Sequence, residues 1–193
     1  MTHDAWLERW LPLIAERAGA GAILELGCGP GEDTDTLTQA GHRVVALDVS
    51  ADAIDAARAR VPAAEFHHGD VREPFPLAGA RVGVVIASLS LHYFSWPETA
   101  EIVTRIRTAL RASGVLVCRL NSTNDHNFGA SGHKQIEPNY YWVKGKRKRF
   151  FDAADVARLF STGWIVISSE ERTTSKYARP KVAWEIVAQC TTS

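Results

Sequence analysis

The sequence predicts an α/β fold: a doubly wound, mostly parallel seven-stranded sheet with helices on both faces and an antiparallel C-terminal strand pair. Three observations carry the prediction. Short apolar runs of strand length alternate with segments whose apolar residues recur at helical spacing, the order that builds a parallel sheet covered on both faces. The first run, Ala22 to Leu26, opens directly into a turn holding Gly27, Gly29 and Gly31, and open parallel sheets receive their ligands at such a turn. The chain closes on "WIVISSEERT" and "KVAWEIVAQC", whose alternating polarity suits neighbouring antiparallel strands at a sheet edge.

In "DAWLERWLPLIAERAG", Trp6, Trp10, Leu13 and Ile14 stand at near-helical spacing. Pro12 is expected to kink or divide that helix, and Gly19 and Gly21 to end it, giving an N-terminal helical segment over 1–20. "AILEL" is then a fully buried strand, "DTDTLTQAG" a short helix stopped by Gly41, and "HRVVALD" a second strand. Ser50 caps the next helix, in which Ile54, Ala57 and Val61 share a face. "AAEFHHGD" is a third, weaker strand, and "RVGVVIASL" a fourth, buried on both faces. "SWPE" opens a helix with a capping box, Ser95 and Glu98, and Ile102, Val103, Ile106 and Leu110 form its apolar stripe. After Gly114, "VLVCRLN" is a fifth strand. From 121 to 151 the pattern lapses into polar, glycine-rich and aromatic residues, far longer than the usual connection of about 4–6. A substrate-side lid or binding loop is expected there. Asp152 then caps a helix.

At 193 residues the chain can bury one sizeable core and is short for two, so 1–193 reads as a single domain. Lys plus Arg and Asp plus Glu each total 22, leaving no global field to draw in nucleic acid or a membrane. The apolar runs fall far short of the roughly 20 residues that span a bilayer. "MTHDAWLERW" lacks the basic-then-apolar plan of a signal peptide, and a cytoplasmic location is expected. Cys28, Cys118 and Cys190 lack CxxC spacing and the histidines lack ligand spacing, so no disulfide scaffold and no metal are predicted. The oligomeric state stays open.

Glycine permits positive φ and removes the Cβ that would keep a ligand off the backbone, so the glycine turn reads as a ligand cradle; the alternative is a tight structural turn. A dinucleotide site expects GxGxxG with a pyrophosphate at the helix amino end. Here the spacing is GxGxG, flanked by Glu25, Glu32 and Asp33. Three carboxylates repel a pyrophosphate and suit a cationic centre, such as a sulfonium with an α-amino group. Both points disfavour an NAD-dependent oxidoreductase.

With that spacing, "ILELGCGPGEDT" resembles the first motif, ExGxGxG, of class I S-adenosylmethionine-dependent methyltransferases. Asp48 in "VVALDVS", Asp70 in "HGDVREPFPL", the run "VVIASLSLHYF" and the "RASGVLVCRL" turn and strand follow at the intervals of that family. The resemblance covers nearly the whole chain from Ile23. It implies S-adenosyl-L-methionine as cofactor, with Glu25 and the backbone from Gly27 through Cys28 and Gly29 to Gly31 cradling its methionine portion. It further implies that Asp48 takes the ribose hydroxyls, Asp70 the adenine amino group, Val49 and Val71 the faces of the ring, and Ser88, Leu89 or Ser90 the methionine end. One departure is Gly83, where many relatives carry an acidic residue.

Methyl transfer from a sulfonium needs alignment more than a dedicated base. If there is a base, it is His92, beyond the fourth strand on the ligand side; the rival reading is a packed histidine. Tyr93, Asn121, Asn124, Tyr140 and Tyr141 are candidate substrate contacts, with His126 and Asn127 beside them and Trp6 and Trp10 as a possible far wall. "KGKRKR", 144–149, is the one feature that suits a nucleic acid or phosphorylated partner, but Gly145 favours a solvated turn between extended segments. The expected activity is a small-molecule methyltransferase. The alternatives are an RNA or protein methyltransferase docking through 144–149, and a non-catalytic S-adenosylmethionine-binding regulator.

Overall fold

Strand β1 (Ile23–Leu26) is buried at every position, so its side chains must be covered on both sides of a sheet. The computed structural model describes residues 5–77, 79–174 and 177–191, and supplies that cover. The main sheet has seven strands in the order β3-β2-β1-β4-β5-β10-β9. Its parallel part is β3 (Glu65–His68), β2 (Val44–Asp48), β1, β4 (Val82–Ser88) and β5 (Leu110–Asn121). The expected C-terminal pair, β9 (Trp164–Thr174) and β10 (Lys181–Cys190), is antiparallel, with β10 against β5.

Alternation along each strand sends Ile23, Val84 and Ile86 to one face and Leu24, Val85 and Ala87 to the other. The first face packs on α1 (Leu11–Ala18), α2 (Glu32–Gln39) and α3 (Ala51–Arg60) through Ile14, Leu37 and Ile54. The second packs on α4 (Trp96–Ala109) and α5 (Ala153–Leu159) through Ile102, Ile106 and Val156. All three expected caps form: Ser50 accepts from the Ala53 N–H, and Ser95 with Glu98 and Asp152 with Asp155 are reciprocal capping boxes. Pro12 divides the N-terminal segment rather than kinking it. A 3-10 turn, Ala5–Trp10, runs up to α1, and Pro12 lies in the first turn of α1, where its missing N–H costs nothing. Residues 1–4 of that segment lie outside the described residues.

Two local features depart from expectation. The stretch 121–151 is largely ordered backbone: β6 (Lys134–Glu137), β7 (Tyr140–Val143) and β8 (Lys146–Arg149) form a separate antiparallel sheet in that order. Each strand has only four residues, β6 and β8 are mainly polar, and β7 buries just its two ends, so no apolar periodicity announces them. Lys144 and Gly145 join β7 to β8 with φ of 48° and 78°, the pair of positive values a two-residue hairpin turn requires. Gly83 is explained by packing: a Cβ there would lie 1.8 Å from the Arg17 carbonyl oxygen, so no side chain fits without a backbone shift.

Candidate active site

The sheet order reverses between β1 and β4, and a cleft of about 760 Å³ opens there at the carboxyl ends of the strands. Gly27 begins its floor with φ of 74°, and a Cβ on it would lie 2.4 Å from the Ser90 Cβ. Only a residue without a side chain lets β1 and the post-β4 segment approach this closely. Asp48, the last residue of β2, joins the glycine turn to its neighbour: one carboxylate oxygen accepts from the Gly29 N–H at 2.8 Å, the other from the Ser50 N–H at 2.9 Å. A carboxylate offers about four lone-pair sites, so Asp48 keeps capacity for a ligand's hydroxyls. Val49 beside it is 67% exposed, an apolar side chain left waiting for cover.

Asp70, Val71, Ser88 and Leu89 complete the far wall. Asp70 is gripped by Arg72, whose guanidinium donates to both carboxylate oxygens and holds the Asp70 pKa below its ordinary value. Leu89 takes φ of 55°, a strained value for a branched side chain that costs about 1 kcal/mol or more. The Ser90 hydroxyl is buried with no hydrogen-bond partner among the described residues. A strained backbone and an orphaned hydroxyl beside a side-chain-free turn fit a ligand with polar atoms at that end.

His92 and Tyr93 lie in a 3-10 turn, Leu91–Tyr93, on the other side of the cleft. His92 is 4% exposed, and its Nδ1 has no hydrogen-bond partner among the described residues. Burial first, then the charges of Lys181 and Lys148, push its pKa well below 6.5, so the imidazole is neutral at neutral pH. Strand β8 packs against this turn, which brings Gly145, Lys146, Arg147 and Lys148 into the wall with Phe128, Trp142 and Lys181. The basic run is thus no mere solvated edge. Arg149, its last member, is buried, bound to Glu137 and donating to the Phe94 carbonyl at 3.1 Å.

Several expected contacts stand elsewhere. Glu25, Cys28 and Gly31 are not on the cleft wall. Glu25 is 2% exposed and accepts from the Thr34 hydroxyl at 2.5 Å; burial, then Asp33, raise its pKa well above 4.5, while the Thr34 bond opposes the rise. Burial likewise raises the Cys28 thiol. Asp33 accepts from Trp6 Nε1 at 2.9 Å, so the carboxylates flanking the glycines do not face the cleft; Asp48 and Asp70 do. Neither Trp6 nor Trp10 reaches it. Asn121, Asn124, Tyr140 and Tyr141 are also off the wall. Asn121 accepts from Lys181 Nζ at 2.7 Å, and Asn124 donates to Glu171 at 3.0 Å. The Tyr140 hydroxyl donates to the Tyr93 carbonyl at 3.0 Å, and Tyr141 packs near Phe150. Asn121 and Tyr140 therefore hold wall residues from behind. His126 meets Ser131, and Asn127 meets the Pro180 carbonyl. Lys181 had no sequence signal: as a lysine opening an alternating strand it looks like any solvated strand end, yet it is buried, paired with Asp125 at 2.7 Å.

A glycine turn after the first strand, an acidic end to the second and a cleft where the strand order reverses define a Rossmann-like nucleotide-cofactor domain. Residues 23–114 match the family described as a methyltransferase domain. The chain is thus similar to the class I S-adenosylmethionine-dependent methyltransferases, whose cofactor is S-adenosylmethionine. A trans-aconitate 2-methyltransferase of Paracidovorax citrulli is 34% identical over 105 residues, 53% of this chain and 40% of that protein. Another, of Mycolicibacterium gilvum, is 33% identical over 141 residues, 70% of this chain and 51% of its own. The chain thus spans about half the length, or less, of these curated relatives. An S-adenosylmethionine-dependent methyltransferase from Clostridium acetobutylicum superposes with a TM-score of 0.76 at 12% identity, covering 100% of this chain and 93% of the other, a likeness of fold. Among the described residues no helix is long and apolar enough to cross a membrane.

Proposed function

We propose that the chain catalyses methyl transfer from S-adenosylmethionine to a small-molecule acceptor. The observation that carries this reading is one continuous cleft, with the glycine turn and Asp48 at one end and His92, Tyr93 and β8 at the other. Its volume suits small molecules, and the trans-aconitate relatives are named for such an acceptor. In this reading the Gly27 and Gly29 backbone with Ser88 and Leu89 holds the methionine portion, Asp48 the ribose, Val49 and Val71 the adenine faces, and Asp70 its amino group. The sulfonium brings a methyl group already activated for displacement. The chain's own work is alignment and exclusion of water, which supplies up to about 7–11 kcal/mol in favourable cases. In this reading His92, on the cleft wall and neutral at neutral pH, is the group that takes a proton from the acceptor.

Calorimetric titration with S-adenosylmethionine, S-adenosylhomocysteine and NAD tests the cofactor end. The first two should bind and NAD should not, and Asp48→Ala should weaken binding about tenfold or more by removing the hydroxyl acceptor. Silence for all three from folded protein would return the glycine turn to a structural role.

A further inference from the structure

We propose that the acceptor enters as an organic anion with a flat apolar body, its acidic group held by Lys148 with Lys146 and Arg147 beside it. This rests on the methyl-transfer reading and names the substrate class of the same cleft. The charge layout carries it. On the cofactor side, the Asp70 charge is answered by Arg72 at 2.6 Å. On the β8 side, Lys181 is answered by Asp125 at 2.7 Å, but the side chains of Lys146, Arg147 and Lys148 make no hydrogen bond or ion pair among the described residues. With 22 basic and 22 acidic residues the chain has no general surplus, so this excess is local to the cleft.

Lys148 shows the cost most directly. It is half-buried, and burial, followed by the charge of Lys181, lowers its pKa. Asp125 opposes that shift, but its carboxylate is already paired with Lys181; a cation partly withdrawn from water without an ion-pair partner of its own is unfavourable, and a ligand carboxylate seated beside it would offset that. His92 supplies a second, independent sign of a missing ligand: a buried side chain on the same wall whose Nδ1 has no hydrogen-bond partner among the described residues. The body of the ligand is read from Tyr93, Phe94, Phe128 and Trp142, aromatic side chains along the wall, with Trp142 50% exposed. Flat apolar ligands gain most from such rings. A nucleic acid would draw on a general basic surplus, and with 22 basic and 22 acidic residues the chain has none.

The test uses the full chain saturated with S-adenosylhomocysteine and titrated with 2-naphthoate and its uncharged counterpart 2-naphthamide at low salt. Naphthoate should bind about tenfold tighter than the amide or better. The combined Lys146→Gln, Arg147→Gln and Lys148→Gln variant should lose that preference while holding S-adenosylhomocysteine within about twofold of the parent. Lys148→Gln alone, on one partly exposed side chain, should lose most of it. Equal binding of acid and amide, or a preference surviving the triple substitution, overturns the proposal. So does a short oligoribonucleotide that displaces naphthoate and is itself lost in the triple variant, which would assign β8 to nucleic acid. Failure of S-adenosylhomocysteine to bind would strike the methyl-transfer reading instead.

Discussion

Gly27 and His92 show how differently single residues reveal themselves. Gly27 was legible because only glycine tolerates both its φ of 74° and a Cβ that would collide with Ser90, and such demands recur as a spaced motif. Asp48 was legible in the same way, ending an apolar strand. The direction of the Glu25 side chain was not: the neighbouring α2 supplies Thr34 as its partner, and no local pattern encodes that meeting. The place of His92 was legible, but its protonation was decided by burial and by two lysines distant in sequence. If His92 takes a proton from the acceptor, His92→Gln should lower kcat about 10²-fold or more on an acceptor that must lose one, leaving S-adenosylhomocysteine affinity unchanged. An unaltered kcat would reduce the imidazole to packing.

At the scale of elements, apolar periodicity predicted the seven-strand frame, and local spacing the caps at Ser50, Ser95 and Asp152, since burial and cap chemistry act within a few residues. The β6–β8 sheet escaped because its strands bury little and owe their place to distant partners. Arg149 fastens it: its guanidinium binds Glu137, donates to the carbonyls of Phe94 and Pro138, and lies over the Tyr140 ring at 4.7 Å. Glu137 in turn accepts from the Trp96 N–H at 3.2 Å, tying the small sheet to the start of α4. Fully buried ion pairs cost about 3–5 kcal/mol when one partner is removed; with the Glu137 side chain 34% exposed, Arg149→Met should cost about 2–3 kcal/mol. Urea unfolding measures it, and a loss below about 0.5 kcal/mol, the range of ordinary surface substitutions, would show that Arg149 does not fasten the sheet.

The whole molecule adds a pH dependence that no segment contains. The folded state keeps a proton on Glu25 that the unfolded chain releases above its ordinary pKa of 4.5, so this contribution is full below 4.5 and declines as pH rises toward the folded value. His92 acts oppositely: its contribution is full above 6.5 and is lost as pH falls toward its lowered folded value. In ligand-free unfolding, Glu25→Gln should therefore gain stability relative to the parent between about pH 5 and pH 8. A constant difference across that range would mean that Glu25 is ionised in the fold. The sequence by itself determined the sheet class, the glycine turn, Asp48 and the position of His92, because strand burial, positive φ and capping are enforced by neighbours along the chain. Only the tertiary structure decided that "KGKRKR" divides into a turn lysine, three cleft cations and one buried fastener, that Lys181 is buried against Asp125, and that Glu25 turns away from the cleft. Those outcomes depend on which segments the folded chain brings together and which charges it withdraws from water, and neither is written in local spacing.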